Sequence, residues 1–368
     1  MLKQISGFPL YAKACFTLLL IALVGWIIFI GAGIIIPFSF SLLIAVLLLP
    51  INDFLEKRKV NRVIAILISL LLSVFLLTAI VYFLASQILD FTKDIPGIKI
   101  QLQHHVASVQ KWLTIHFKVT KVEQVFLVNN AADNIKNSGF IGETVLSATQ
   151  ILPIIVLLPV YTFLLLYYRD MIYSFFIKIF SNDHTDKVKE VLKESRYIVQ
   201  GYMLGLILEM AIVSAINSAG FLILGIKYAF FLGFLAALLN IIPYIGMLIA
   251  AVLCAVITLA TSNQITDVIG VMVILTVVQF IDNNIIMPKV VSSKVKINAL
   301  ITILGVIAGG ALAGISGMFL SIPSIAILKV IFDRVQGLEP WGYLLGDEIT
   351  GTKQSRIFRK KKPEMKVV

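Results

Sequence analysis

Two stretches of this chain, Tyr228–Thr261 and Ala299–Phe332, each run for 34 residues with at most one charge. A straight helix of that length would measure about 51 Å, whereas about 20 residues suffice to cross a hydrocarbon core of about 30 Å. Each stretch must therefore bend or break. The first carries Ile242-Pro243-Tyr244-Ile245-Gly246, and the second carries Gly309, Gly310, Gly314, Gly317 and Pro323. Proline and glycine are the residues that let a membrane helix open its backbone, so each stretch reads as a re-entrant hairpin of two shorter helices.

Composition agrees with a membrane setting. Of 368 residues, 59% are hydrophobic and 14% charged, against about 25% charged in soluble domains. An all-α integral membrane protein with about eight hydrophobic segments is expected. The segments before residue 228 are Cys15–Gly31 and Ile34–Ile51, read as a hairpin with both ends cytoplasmic, then Val63–Leu89, Ile151–Tyr168 and Tyr202–Leu224. The first is read as a retained span, since no small-residue cleavage site follows it. Expected units are 1–89 (N-terminal helices), 90–150 (an amphipathic extracytoplasmic region), 151–200 (a span and a cytoplasmic helical linker), 201–335 (a core with both broken segments) and 336–368 (a basic cytoplasmic tail).

The net charge of +11 gathers in loops and in that tail, which holds Lys353, Arg356, Arg359, Lys360, Lys361, Lys362 and Lys366. Basic loops mark the cytoplasmic side and attract anionic lipid. This predicts both termini in the cytoplasm and membrane lipid, not nucleic acid, as the partner of the tail. The hairpin reading also brings Lys289, Lys294 and Lys296 to the cytoplasm. It makes Tyr202–Thr261 and Val268–Phe332 an inverted repeat in hydropathy, the build of secondary transporters.

Ionisable residues within spans are costly and by default mark an ion or solute path. Two acids qualify, Glu209 and Asp282, at similar depth in opposed helices. Around Asp282 stand Gln279, Asn283 and Asn284, followed by Pro288, and Asn240 and Tyr244 from the first broken segment could meet them. Together these are the candidate substrate or ion ligands, while Asn217 reads as a packing residue. Gly201 and Gly205, and the pairs Gly305/Gly309 and Gly310/Gly314, have the spacing of close helix contacts, within one subunit or in a homo-oligomer.

Catalytic motifs are absent. Gly314-Ile315-Ser316-Gly317 resembles a serine-protease signature, but His104, His105, His116 and His184 all lie in polar segments and supply no intramembrane base. Cys15 and Cys254 suggest neither a disulfide nor a metal site. Neither an enzyme nor a cofactor is expected.

The chain resembles the autoinducer-2 exporter family of bacterial permeases. The likeness rests on Leu224-Gly225-Ile226 with Gly233, Ile242-Pro243-Tyr244-Ile245-Gly246, Gln279-Phe280-Ile281-Asp282-Asn283-Asn284 with Pro288, and Gly309-Gly310 through Gly317-Met318 and Pro323. It implies about eight spans in a bacterial inner membrane, with export of autoinducer-2 or sodium/proton antiport as activities. Asp282-Asn283-Asn284 stands where many relatives have Glu-Gly-Asn, which shortens the acid's reach. The expected function is export of a small polar metabolite, possible coupling to protons included. The rival readings are a sodium/proton antiporter and, from another class, a membrane scaffold that transports nothing.

Overall fold

A computed structural model describes residues 9–93, 156–180, 185–243, 245–262, 264–291 and 297–347. All regular structure among them is helical. The elements are α1 (Leu10–Ile30), α2 (Ala32–Lys57), α3 (Arg62–Lys93), α4 (Val156–Tyr167), α5 (Arg169–Ile179), α6 (Thr185–Ile223), α7 (Ala229–Asn240), α8 (Ile245–Thr261), α9 (Ile265–Ile281), a π-helical turn (Asp282–Ile286), α10 (Met287–Val290), α11 (Ala299–Arg334) and α12 (Glu339–Leu345). The expectations for 94–155, for Tyr244 and for the basic tail from 348 onward lie outside the described residues.

The expected N-terminal hairpin is a bend instead. Between α1 and α2 only Gly31 departs from helix geometry, at φ −82°, ψ 6°. Its N–H still donates to Ile27, and its carbonyl still accepts from Ile35. A change of about 50° in one torsion from ideal helix values tilts the axis but does not reverse it. The GAG sequence loosened the helix without supplying a turn.

α6 likewise runs unbroken for 39 residues, joining the charged segment before residue 200 to the apolar one after it. Residues 265–290 form a second long apolar stretch, and the two run antiparallel. Glycines record the register. A Cβ on Gly205 would meet the Val290 carbonyl at 2.9 Å, one on Gly220 would meet Ile274 at 2.9 Å, and one on Gly270 would meet Leu224 at 2.7 Å. Small residues at these points let the backbones approach closely.

Both long apolar segments double back. In the first, Gly246 abuts the Leu239 carbonyl, and Cys254 Sγ lies 3.8 Å from the Leu232 carbonyl oxygen. Residues 22 apart would be about 33 Å apart along a straight helix, so α7 and α8 lie side by side, with Ile241, Ile242 and Pro243 leaving the end of α7. In the second, Ala313 (φ −146°, ψ 24°) and Gly314 (φ 59°, ψ −145°) are non-helical. Gly309 faces Gly317, Gly310 faces Met318 and Gly305 faces Ile325 across the fold. α11 is therefore two antiparallel arms about Ala313-Gly314. Gly309, Gly310 and Pro323 sit inside the arms, not at the break.

The core centres on α6–α9, where Phe221, Leu232, Ala236, Cys254 and Val271 are buried together. Around it, large apolar side chains such as Leu71, Phe75, Phe230, Val252 and Val273 point outward. With α2, α3, α6 and 265–290 each long and apolar enough to cross a bilayer, the outward faces meet lipid, and the protein is a multi-pass membrane protein.

Candidate functional site

The charged ends of the helices gather at one level. Arg169 bonds Asp53 at 3.0 Å and Glu56 at 2.6 Å, and Arg196 reaches Asp53 at 3.1 Å. Arg62 pairs with Asp170 at 2.6 Å. Arg334, at the end of α11, pairs with Glu190 at 3.1 Å and with Glu194. These pairs tie α2, α3, α5 and α11, three of them through the first half of α6.

The other ionisable cluster lies deeper. From Arg196 to Glu209 is 13 residues, or about 20 Å along α6. Glu209 and Asp282 are buried, at 7% and 1% exposure, and their carboxyl groups are near enough to act on each other electrostatically. Asn240, at the end of α7, donates Nδ2 to Asp282 Oδ2 at 2.9 Å. Glu209 Oε2 and Asp282 Oδ1 have no protein donor. Neither acid takes part in an ion pair with a basic group among the described residues. Two neighbouring buried carboxyl groups disfavour each other's charged form.

Local structure explains why these three side chains meet. The antiparallel register of α6 against α9 brings position 209 opposite 282, and the break after Asn240 ends α7 at the same depth. The π turn begins at Asp282. Asp282 and Ile286 continue the i, i+4 spacing that begins at Val278 and face inward, while residues 283–285 are exposed.

That geometry divides the sequence constellation. Asp282, Glu209 and Asn240 come together as expected. Asn283 and Asn284 do not join them: Asn283 Oδ1 accepts from Gln279 Nε2 at 3.1 Å, and Asn284 Nδ2 donates to the Phe280 carbonyl at 2.7 Å, both on the exposed side. Gln279 sits at the boundary, half-buried. Among the breakers, Pro243 lies in the α7–α8 connection and Gly246 opens α8 against Leu239. Pro288 lies in α10, after the π turn, and does not end the helix. Asn217, read as packing, is buried at 2% exposure, borders the larger cleft described next, and has Oδ1 unpartnered. Only its polarity within an apolar helix could have flagged it.

Two small clefts adjoin the acids. One, of about 180 Å³ of empty space, is bounded by Leu206, Glu209, Met210, Val213 and Asn240. The other, of about 290 Å³, is bounded by Val213, Asn217, Asn240, Met247, Leu275 and Gln279. Much of that space is open to solvent, and the enclosed room amounts to none in the first cleft and about one water molecule in the second, so this conformation is closed around its polar groups.

Comparison with known proteins now decides the family. Residues 16–337 match the family described as AI-2E family transporter. The chain belongs to that family. It is 29% identical over 327 residues to "Putative transport protein" of Haemophilus influenzae, covering 86% of this chain and 91% of the relative. To "Putative transport protein YueF" of Bacillus subtilis it is 27% identical, over 77% and 79% of the two chains. To "AI-2 transport protein TqsA" of Escherichia coli K12 it is 25% identical, over 86% and 90%. Membership of the AI-2E family makes this chain a membrane transporter.

Proposed function

We propose that this AI-2E family member is a secondary transporter that exports a small polar solute, coupled to protons through Glu209 and Asp282. The observation that carries the reading is the buried carboxyl pair, bonded by Asn240 at a helix break. A pair of acids holding one proton at membrane depth is a site that can exchange it as the protein rearranges. Broken helices meeting near the midplane are how such transporters build a solute path.

Segment lengths support two re-entrant hairpins. α7 is about 18 Å long and the first arm of α11 about 21 Å, at 1.5 Å per residue, both short of the about 30 Å core. The charged helix ends gathered at one level favour a cytoplasmic assignment for that side. On this reading the C-terminus is cytoplasmic, the membrane is the bacterial inner membrane, and the two halves of 201–335 form an inverted repeat; the cytoplasmic N-terminus expected from an α1–α2 hairpin is not carried over, because Gly31 bends the helix without reversing it. The scaffold reading is the weaker one, because a scaffold has no use for irregular backbone at membrane depth. Nor does the protein read as a catalyst, since its family is one of transporters.

Because TqsA is named an AI-2 transport protein, autoinducer-2 is the first solute to test. The experiment is efflux from proteoliposomes with and without an imposed pH gradient. Wild type should respond to the gradient; Asp282→Asn should lose the response while eluting as a folded protein. Equal gradient-driven efflux by the two proteins would overturn the role of the pair.

A further inference from the structure

The turn from α2 to α3 carries an unbalanced charge. Lys57, Arg58 and Lys59 follow one another there, all exposed, and none of them forms an ion pair among the described residues. The nearby acids are taken: Asp53 by Arg169 and Arg196, Glu56 by Arg169, and Asp170 by Arg62. Local structure concentrates the three cations. Arg58 and Lys59 close α2 by donating their N–H groups to the Leu55 and Glu56 carbonyls at 3.0 and 2.9 Å, and Val60 donates to Leu55 at 3.2 Å. Lys59 is left-handed, at φ 64°, and the chain reverses between Lys57 and Arg62, so that Ser69 of α3 donates to Asn52 of α2 at 2.7 Å. These backbone donors are spent, and the turn's remaining polar capacity is its three side-chain cations.

Their surroundings are apolar. Arg58 lies over the Phe54 ring, 4.4 Å from its centre, a contact that holds the guanidinium by its face and leaves its N–H edges without an acceptor among the described residues. Phe54 is itself exposed, as are Ile64 and Leu67 in the first turns of α3, and they lead into the outward apolar face of that helix. α5 starts beside the turn, tied to it through Arg62 and Asp170, and buries none of its residues. Met171, Phe175 and Ile179, four apart, form an uncovered apolar stripe on it. Such a stripe at the level of charged helix ends fits the boundary between lipid headgroups and chains.

We propose that the α2–α3 turn is a binding site for an anionic phospholipid, with Lys57, Arg58 and Lys59 on the phosphate and Phe54, Ile64 and Leu67 along the adjoining chain. Charge selects the class. A zwitterionic headgroup brings an ammonium with its phosphate and would set a fourth cation among three, whereas a headgroup of net negative charge neutralises them. Guanidinium and ammonium groups both suit a phosphate, the first through paired N–H donors. The apolar half of the corner selects a lipid over a soluble anion, because it continues the face that already meets lipid chains. A topology signal alone needs basic residues on one side of the membrane; it does not need three unpaired ones on a single turn, one of them seated on an exposed ring. The site depends on the membrane setting and is separate from the transport cycle.

The test titrates the purified, delipidated full-length protein in dodecyl maltoside with dioleoylphosphatidylglycerol or dioleoylphosphatidylethanolamine and counts bound lipid by native mass spectrometry. Each Lys or Arg at a lipid surface contributes roughly fivefold in affinity, so wild type should hold the anionic lipid at least about tenfold more tightly than the zwitterionic one. Lys57→Ser/Arg58→Ser/Lys59→Ser should erase that preference. Lys360→Ser/Lys361→Ser/Lys362→Ser, which takes the same charge from the basic tail, should keep it. Absence of a preference in wild type would overturn the proposal, whatever the variants do. An equal loss in both triple variants would also overturn it, since the attraction would then be one of net charge. So would displacement of the lipid by equimolar glycerol 3-phosphate, which would make the occupant a soluble phosphate. Phe54→Ala keeps every charge and serves as a check even if the turn variant does not fold: it should weaken the anionic lipid by at least about threefold, and unchanged binding would overturn the placement of the lipid on this corner.

Discussion

Replacing Gly317 by alanine tests the doubled-back form of α11 directly. A Cβ at 317 would fall 2.7 Å from the Gly309 carbonyl carbon and closer still to its oxygen, and 2.9 Å from Ala313 Cβ. Ordinary contact begins near 3.4 Å, so the arms must part by at least about 0.7 Å. The obstacle is backbone on the facing arm, not a side chain that can rotate away. Overpacking of this kind costs about 1–3 kcal/mol, and Gly309→Ala, blocked in the same way by Gly317, should cost as much. Gly314→Ala probes the turn itself, because φ 59°, ψ −145° is a conformation essentially confined to glycine, with a cost of about 1–3 kcal/mol. Gly33→Ala is the control: its Cβ would meet nothing within 4 Å, and helix propensity favours alanine by about 1 kcal/mol. The assay is reversible unfolding in mixed dodecyl-maltoside and SDS micelles, followed by far-UV circular dichroism. A straight α11 would place residues 309 and 317 about 12 Å apart and make Gly317→Ala as harmless as Gly33→Ala; that result would refute the reasoning.

Further predictions concern the ends of the helices. Asn298 caps α11 by accepting from the Ile301 N–H at 2.9 Å, and its Nδ2 donates to the Leu344 and Gly346 carbonyls at 2.7 and 3.1 Å. Asn298→Ala should cost about 1–2 kcal/mol and quicken proteolysis beyond Arg334, measured by limited trypsin digestion; an unchanged cleavage rate would contradict the tie. Arg169→Ala strands Glu56, whose partner among the described residues is Arg169, and leaves Asp53 with Arg196. The groups are about a quarter to a third exposed, so screening limits the loss to about 1–2 kcal/mol. A melting-temperature drop larger than that of Lys189→Ala, whose pair with Asp186 is on the surface, is expected; equal effects would deny the network any special weight.

What sequence could reveal here followed from what each signal encodes. Length and hydropathy report transfer from water to lipid, so the long apolar helices and the need to break two segments were legible. The breaking point was less so. In α11 the conspicuous Gly309-Gly310 pair serves contact between the arms, while the turn falls at Ala313-Gly314, because glycine signals close approach and unusual torsions alike. At Gly31 the same residue gave only a bend. Asp282 and Glu209 stood out because charge within an apolar run is costly; that Asn283 and Asn284 face away was also legible, since positions one and two residues after Asp282 do not share its helix face. Whether a buried amide such as Asn217 only packs or also offers a free polar atom depends on partners from α7 and α9, which its own helix does not contain.

The uninterrupted course of α6 makes it a lever. Its 39 residues span about 58 Å, and the tight contact of Gly205 with Val290 and Val291 lies near mid-length, a natural fulcrum. On one side, Glu190, Glu194 and Arg196 grip the ends of α11 and α2; on the other, within a turn of the fulcrum, stands Glu209. A tilt of about 5° about Gly205 would move Arg196, Glu194 and Glu190 by roughly 1–2 Å at 1.5 Å per residue, enough to stretch their ion pairs, while shifting Glu209 by only about half an ångström. A small adjustment at Glu209 is thus amplified at the charged end of the helix, and anything that clamps the first half of this rod would also hold Glu209 still.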